Sequence, residues 1–226
     1  MGMEQGLLSD LRIHRPPQTL RELALERLRS AIIAGRFPSG ARLVERTLCD
    51  QLGVSRSVVR EVIRILEAEG LVESVTNRGP VVARLDWAQA RQIYDIRLLL
   101  EGSAAAGCAA VAAVGVKAQL ADALAKISAS DSGAEAVFAA TTRFYEVIFR
   151  AAGHDIAWEI VQRLNGRISR LRALTLAATE RAVPGPERMA RIAAAIAAND
   201  PEAARRAVEE HLTEAAAIAK RMLEGA

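Results

Sequence analysis

Between Thr19 and Leu85 the pattern of apolar residues changes period several times, and that order restricts the fold more than any other feature of the chain. The stretch TLRELALERLRSAIIAG places Leu20, Leu23, Leu25, Leu28, Ile32 and Ile33 at mixed three- and four-residue spacing, which predicts an amphipathic helix capped by Thr19 and stopped at Gly35. Pro38-Ser39-Gly40 marks a turn. A short helix from about Glu45 to Leu52 follows and ends at Gly53. Ser55 then caps a third helix, Arg56 to Glu69, with the stripe Val59, Val62, Ile63, Ile65 and Leu66 and Gly70 as its close. Beyond it LVESV and PVVARL read as two short strands around the hairpin loop Thr76-Asn77-Arg78-Gly79. Helix, helix, tight turn, helix and hairpin within about 70 residues outline a winged helix-turn-helix.

The polar residues on that outline suit DNA. Ser55, Arg56 and Ser57 open the third helix, and Arg60 lies one turn on. A recognition helix works through its N-terminal residues, because that end enters the major groove and its unpaired N–H groups favour phosphate. Arg56 and Arg60 can each fork onto guanine or hold a phosphate, and Ser55 and Ser57 are short enough for backbone contacts. Arg46, with Asn77 and Arg78 at the hairpin tip, flanks the same groove. Each of these taken singly also fits an ordinary solvated surface; their convergence on one motif favours function.

Charge supports this weakly. Residues 1–85 hold 13 Lys+Arg against 10 Asp+Glu, whereas residues 86–226 hold 17 of each, so the whole excess of +3 lies in the first part. Alanine runs the other way, with 6 in residues 1–85 and 39 in residues 86–226, which makes the second part a strong helix former. Two cysteines, Cys49 and Cys108, are too few and too distant to form a disulfide framework or a zinc cage. No apolar run reaches the roughly 18 residues of a membrane span. The first residues carry acids and no hydrophobic core of a secretory signal. A soluble, cytoplasmic protein is expected, with residues 1–17 as a flexible arm.

The segment Leu43–Val82 closely resembles the DNA-binding domain of GntR-type bacterial transcription regulators. Glu45-Arg46, then Leu-Gly-Val-Ser-Arg, Val-Arg-Glu, Leu-Glu-Ala-Glu-Gly-Leu-Val and Asn-Arg-Gly carry the resemblance. It implies that Arg46, Arg56 and Arg60 contact the operator and that the wing tip at Arg78-Gly79 reaches the minor groove. Val58 stands where a proline is common and Val44 where a small polar residue is common; neither is a DNA-facing group.

After Leu85 the sequence is helical throughout. Helices are expected over about 86–113, with Gly107 a candidate break, and over 116–128, 133–152, 155–178, 184–198 and 201–223, separated by credible turns. Six antiparallel helices with short loops make a bundle. The expected fold is therefore mainly α: a winged helix-turn-helix at 18–85 and an all-α six-helix bundle at 86–226. This order is similar to the FadR subfamily with its FCD domain, in the six-helix VanR-like variant, on the strength of YDIRLLLEGSAA (Tyr94–Ala105) and IAAAIAANDPEAARRAVEEHL (Ile192–Leu212).

Many FCD domains hold a divalent metal with one Asp and three His. The resemblance maps those positions onto Thr141, Tyr145, Met189 and His211, of which only His211 keeps a metal-binding side chain, so no metal and no other cofactor is expected. Thr141 and Tyr145, four apart on one helix face, with His211 opposite, instead offer hydroxyls and an imidazole to a small ligand. His211 also fits a satisfied core histidine. Arg97 is either an anchor for a carboxylate effector or half of a buried pair with Glu101. Arg167, between Leu164 and Leu171, is a second candidate anchor.

Sequence signatures of hydrolases, zinc proteases, nucleotide-binding loops and thiol redox sites are absent, and no nucleophile has an adjacent base. A non-enzymatic regulator is expected: a homodimer, because one winged domain contacts few base pairs, on a palindromic double-stranded operator, modulated by a small organic acid and acting as a repressor. Two alternatives stay open at this level, a metal-assisted sensor and a constitutive DNA-binding protein whose bundle only dimerises.

Overall fold

The computed structural model describes residues 19–129, 134–176 and 185–225. The expected arm, residues 1–17, lies outside them. The first helix, α1 (Leu20–Ile33), opens with a reciprocal cap: the Thr19 hydroxyl accepts from the Glu22 N–H at 3.2 Å, and the Glu22 carboxylate accepts from the Thr19 N–H at 2.8 Å. The second helix, α2 (Glu45–Leu52), stops at Gly53, whose φ of +65° is the left-handed conformation that glycine adopts without a Cβ clash. The third, α3 (Arg56–Ala68), is capped by the Ser55 hydroxyl. Strands β1 (Val72–Val75) and β2 (Gly79–Val82) pair antiparallel in the register Val72↔Val82 and Val75↔Gly79. Asn77 (φ +64°) and Gly79 (φ +74°) turn the hairpin.

Ala24, Leu28 and Ile32 of α1 pack with Leu48, Val59, Val62, Ile63, Leu66, Leu71, Val72 and Val82 in one cluster. The sequence stripe of α1 was too wide: Leu20 and Leu23 are exposed, and Ala24 takes the buried position. Two ion pairs tie α1 to α3, Arg21–Glu61 at 2.6 Å and a two-pronged Arg29–Glu69 contact at 2.6 and 2.9 Å.

A second core is built from α4 (Trp87–Val111), α5 (Val114–Ser128), α6 (Ala134–Ala151), α7 (Asp155–Arg163), α8 (Asn165–Leu176), α9 (Gly185–Ala197) and α10 (Pro201–Glu224). Helix α4 runs unbroken through Gly107, where a Cβ would lie 3.1 Å from that of Ala152; glycine there admits a close neighbour instead of ending the helix. Helix α10 starts on an Asp200 cap with Pro201 in its first turn and lies along α4. The expected single helix over 155–178 is two, broken at Leu164, and its last two residues fall outside the described ones. Asn165 and Gly166 are weak helix formers. Gly166 also meets the winged domain, for a Cβ on it would stand 2.8 Å from the Glu69 carbonyl oxygen and from Leu71 Cγ.

Helix α8 continues that contact. Arg170 Nη1 donates to the Ala83 carbonyl at 2.6 Å and Nη2 to the Ser39 hydroxyl at 2.9 Å. No helix among the described residues is long and apolar enough to cross a membrane.

Candidate functional site

Two places concentrate polar chemistry. On the winged domain, Arg46, Ser55, Arg56, Ser57, Arg60, Asn77 and Arg78 are all exposed, and Gly79 is half-buried. Arg56, Ser57 and Arg60 are exposed because the apolar stripe of α3 turns Val59, Val62, Ile63 and Leu66 inward and leaves the remaining positions to solvent. The Ser55 and Ser57 hydroxyls lie 2.8 Å apart at the start of α3. Arg60 reaches back to α2, where its Nε donates to both Glu45 oxygens, at 3.1 and 2.9 Å.

The second place is a cavity of about 60 Å³ inside the bundle. Of the residues singled out from sequence, Arg97, Thr141, Met189 and His211 line it. Tyr145 is buried beside it, and its ring stacks under the Arg172 guanidinium, 5.7 Å from centroid to carbon. Arg167 does not reach it: it is exposed, with its guanidinium against Gly70 of the winged domain. Five residues separate Arg167 from Arg172, which places them on different sides of α8, and Arg172 is the one that lines the cavity. Sequence reading missed Arg172 together with Tyr94, Thr175 and Phe138 on the cavity wall. A larger concavity of about 1200 Å³ lies between α1 and α6, and none of the candidate DNA- or effector-binding residues named from sequence lines it.

The charges in the bundle are unevenly matched. Arg97 and Glu101 are fully buried and form a two-pronged pair, Nε to Oε1 at 2.7 Å and Nη2 to Oε2 at 3.3 Å. Burial is the largest influence and works against the Arg97 charge, but Glu101 together with Tyr145 and Tyr94 outweighs it and holds the guanidinium above its ordinary value. Arg172 has no carboxylate of its own among the described residues; its Nη1 donates to the Thr142 hydroxyl at 3.4 Å. Burial, then repulsion from Arg97, lowers it to about 10 against the pull of Glu101 and the tyrosines, so it remains a cation at neutral pH. The same burial, reinforced by Glu101, pushes the Tyr145 phenol well up and keeps it neutral. Among the described residues two guanidinium groups thus feel the one carboxylate of Glu101, an excess of positive charge that suits an anion.

The metal known from many FCD domains does not fit these residues. The Thr141 hydroxyl donates to the Val137 carbonyl at 2.7 Å, the Tyr145 phenol holds its proton, and Met189 offers only a thioether. Among the described residues no group of three His, Cys, Asp or Glu side chains is placed to hold an ion.

The fold is thus a winged helix-turn-helix packed on a helical bundle that encloses a small cavity. The chain belongs to the GntR family of bacterial regulatory proteins, whose family model matches residues 20–82, and it carries an FCD domain matched over residues 92–214. It is 30% identical over 150 residues to an HTH-type transcriptional regulator of an unstable DNA locus in Streptomyces ambofaciens, covering 66% of this chain and 64% of that protein. It is 26% identical over 205 residues, 88% of each chain, to the transcriptional repressor RspR of Escherichia coli. A solved GntR-type transcriptional regulator from Rhodococcus sp. RHA1 superposes with a TM-score of 0.72 at 26% identity, over 91% of this chain and 98% of that one. The chain spans under two thirds of the length of the curated relatives it first matches.

Proposed function

We propose that this protein is a ligand-responsive, sequence-specific DNA-binding transcription regulator that acts in the cytoplasm as a repressor. It binds a palindromic operator as a homodimer through residues 18–85 and receives a small organic acid in the bundle of residues 86–226. In this reading Arg46, Ser55, Arg56, Ser57, Arg60, Asn77, Arg78 and Gly79 meet the duplex, and Arg97, Thr141, Tyr145, Met189 and His211 surround the effector with Arg172 as its anchor. The observation that carries the effector class is the cationic Arg172 at the cavity, where Glu101, the carboxylate that acts on it, is already engaged by Arg97. A cavity of about 60 Å³ is small beside the roughly 300–1,000 Å³ of drug-sized sites, which points to a compact acid. The repressor assignment leans on the similarity to RspR. An acid that prefers one arrangement of the two winged domains lowers operator affinity by its differential affinity and no more.

The test begins with duplexes selected from a randomised library by the wild-type protein. A palindrome with half-sites about one helical turn apart, about 10 base pairs, is expected. A panel of two- to six-carbon organic acids is then screened for release of that duplex. Release by one acid, lost in Arg172→Met, supports the reading; a duplex held with the same affinity under every acid favours a bundle that only dimerises.

A further inference from the structure

We propose that Glu45 is a positioning residue for base recognition: it holds the Arg60 guanidinium so that its terminal edge faces the DNA. This rests on the reading above that the start of α3 meets the duplex.

Glu45 is the first residue of α2, and Val44 before it provides no side-chain cap, yet the Glu45 carboxylate does not turn back onto its own helix end. Both of its oxygens accept from Arg60 Nε, fifteen residues away on α3. The carboxylate is the more enclosed partner, its side chain 33% exposed against 62% for Arg60, so it forms the seat and the guanidinium the exposed tip. Among the described residues no carboxylate pairs with Arg46, Arg56 or Arg78. Arg60 is therefore set apart from the other arginines expected at this surface.

A guanidinium can fork through its Nε–Nη side or through its Nη1–Nη2 end. With Nε committed to Glu45, the end remains whole, and that edge matches the O6 and N7 acceptors of guanine in the major groove. The anchor also restrains a long side chain before the DNA arrives, which reduces the ordering cost of binding. An acid beside a polyanion weakens phosphate contact at the same time. It thereby favours the one arrangement that places a base under Arg60 and disfavours sequence-independent binding. A pair that only fastened α2 to α3 would do neither, since an exposed ion pair adds little stability.

The experiment measures affinity for the selected duplex, for each of its single-base-pair variants and for a random duplex, with wild type, Glu45→Gln, Arg60→Lys and the double variant, after thermal melting has verified their folding. Arg60→Lys keeps the charge but loses the fork, and is expected to flatten discrimination at one base-pair position per half-site by about 5- to 100-fold. Glu45→Gln is expected to flatten the same position while binding the random duplex as well as wild type or better, and to add no further loss there in the Arg60→Lys background. A Glu45→Gln protein that keeps wild-type discrimination at that position, or that loses affinity equally for every duplex, overturns the proposal. If Arg56→Ala and Arg60→Lys both leave the profile unchanged, the recognition surface itself is misassigned and the proposal falls with it.

Discussion

Helices α3 and α8 both carry several arginines, and the protein treats them in opposite ways. On α3, Arg56, Arg60 and Arg64 stand in solvent, and among the described residues Arg60 alone of them pairs with a half-buried carboxylate, Glu45 of the neighbouring helix. On α8, Arg170 is turned to the winged domain, where burial lowers its proton affinity, and Arg172 to the cavity, where it draws on a carboxylate already paired with Arg97. Water screens the first set, so its members act independently and are available to a polyanion. The second set sits where charge is costly and shared, so removing one member changes the others.

The comparison breaks most visibly at Glu101. Glu101→Gln strips the buried Arg97 of its paired carboxylate and Arg172 of the carboxylate that acts on it, and should cost about 3–5 kcal/mol in urea unfolding. A loss under about 1 kcal/mol, as for an exposed ion pair, would make the two sets of arginines energetically equivalent. Next in size is Gly166→Ala on α8, where the new methyl would overlap the Glu69 carbonyl and Leu71; about 1–3 kcal/mol is expected, with faster amide exchange in both contacting segments. Arg56→Ala sharpens the contrast from the other side. It should leave stability within about 0.5 kcal/mol of wild type, while weakening operator binding by about 1–3 kcal/mol if Arg56 reads a base. A loss uniform over sequences, with a shallower salt dependence, would assign it to phosphate.

The smallest effect concerns Glu146 on α6. A hydrogen bond from Arg143 holds its carboxyl below the ordinary 4.5, with burial opposing and Arg150 assisting. A depressed folded-state value means that the stabilisation is complete above the unfolded value and is lost as pH falls through the folded one. Glu146→Gln should therefore cost under about 1 kcal/mol at neutral pH, and the difference from wild type should vanish in acid; a difference unchanged by pH would rule out the ion pair as its cause.

Much of this was legible in the chain itself. The caps at Thr19 and Ser55, the left-handed stop at Gly53 and the turn at Asn77-Arg78-Gly79 are local, since each depends on residues a few positions apart. The exposed arginines of α3 followed directly, because one buried stripe leaves only one other face for them. Helix α8 defeated the same reasoning. Its hydrophobic positions do not sort onto one side, because the bundle covers one face and the winged domain another, so periodicity cannot say which arginine is inside. The nearby pattern of Leu164 and Leu171 drew attention to Arg167, while Arg172 lines the cavity. The break at Leu164 falls beside Gly166, whose close approach to Glu69 and Leu71, nearly a hundred residues earlier, no local pattern announces.

By itself the sequence determined the order of elements in the winged domain, their caps and turns, and the surface of α3, since all of these arise from short-range sterics, backbone hydrogen bonding and a single hydrophobic face. Only the tertiary structure decided which charges share a carboxylate, which arginine lines the cavity and where the bundle grips the winged domain. Those properties depend on desolvation and Coulomb interaction between groups far apart in the chain, and they come into being only when packing brings the groups together.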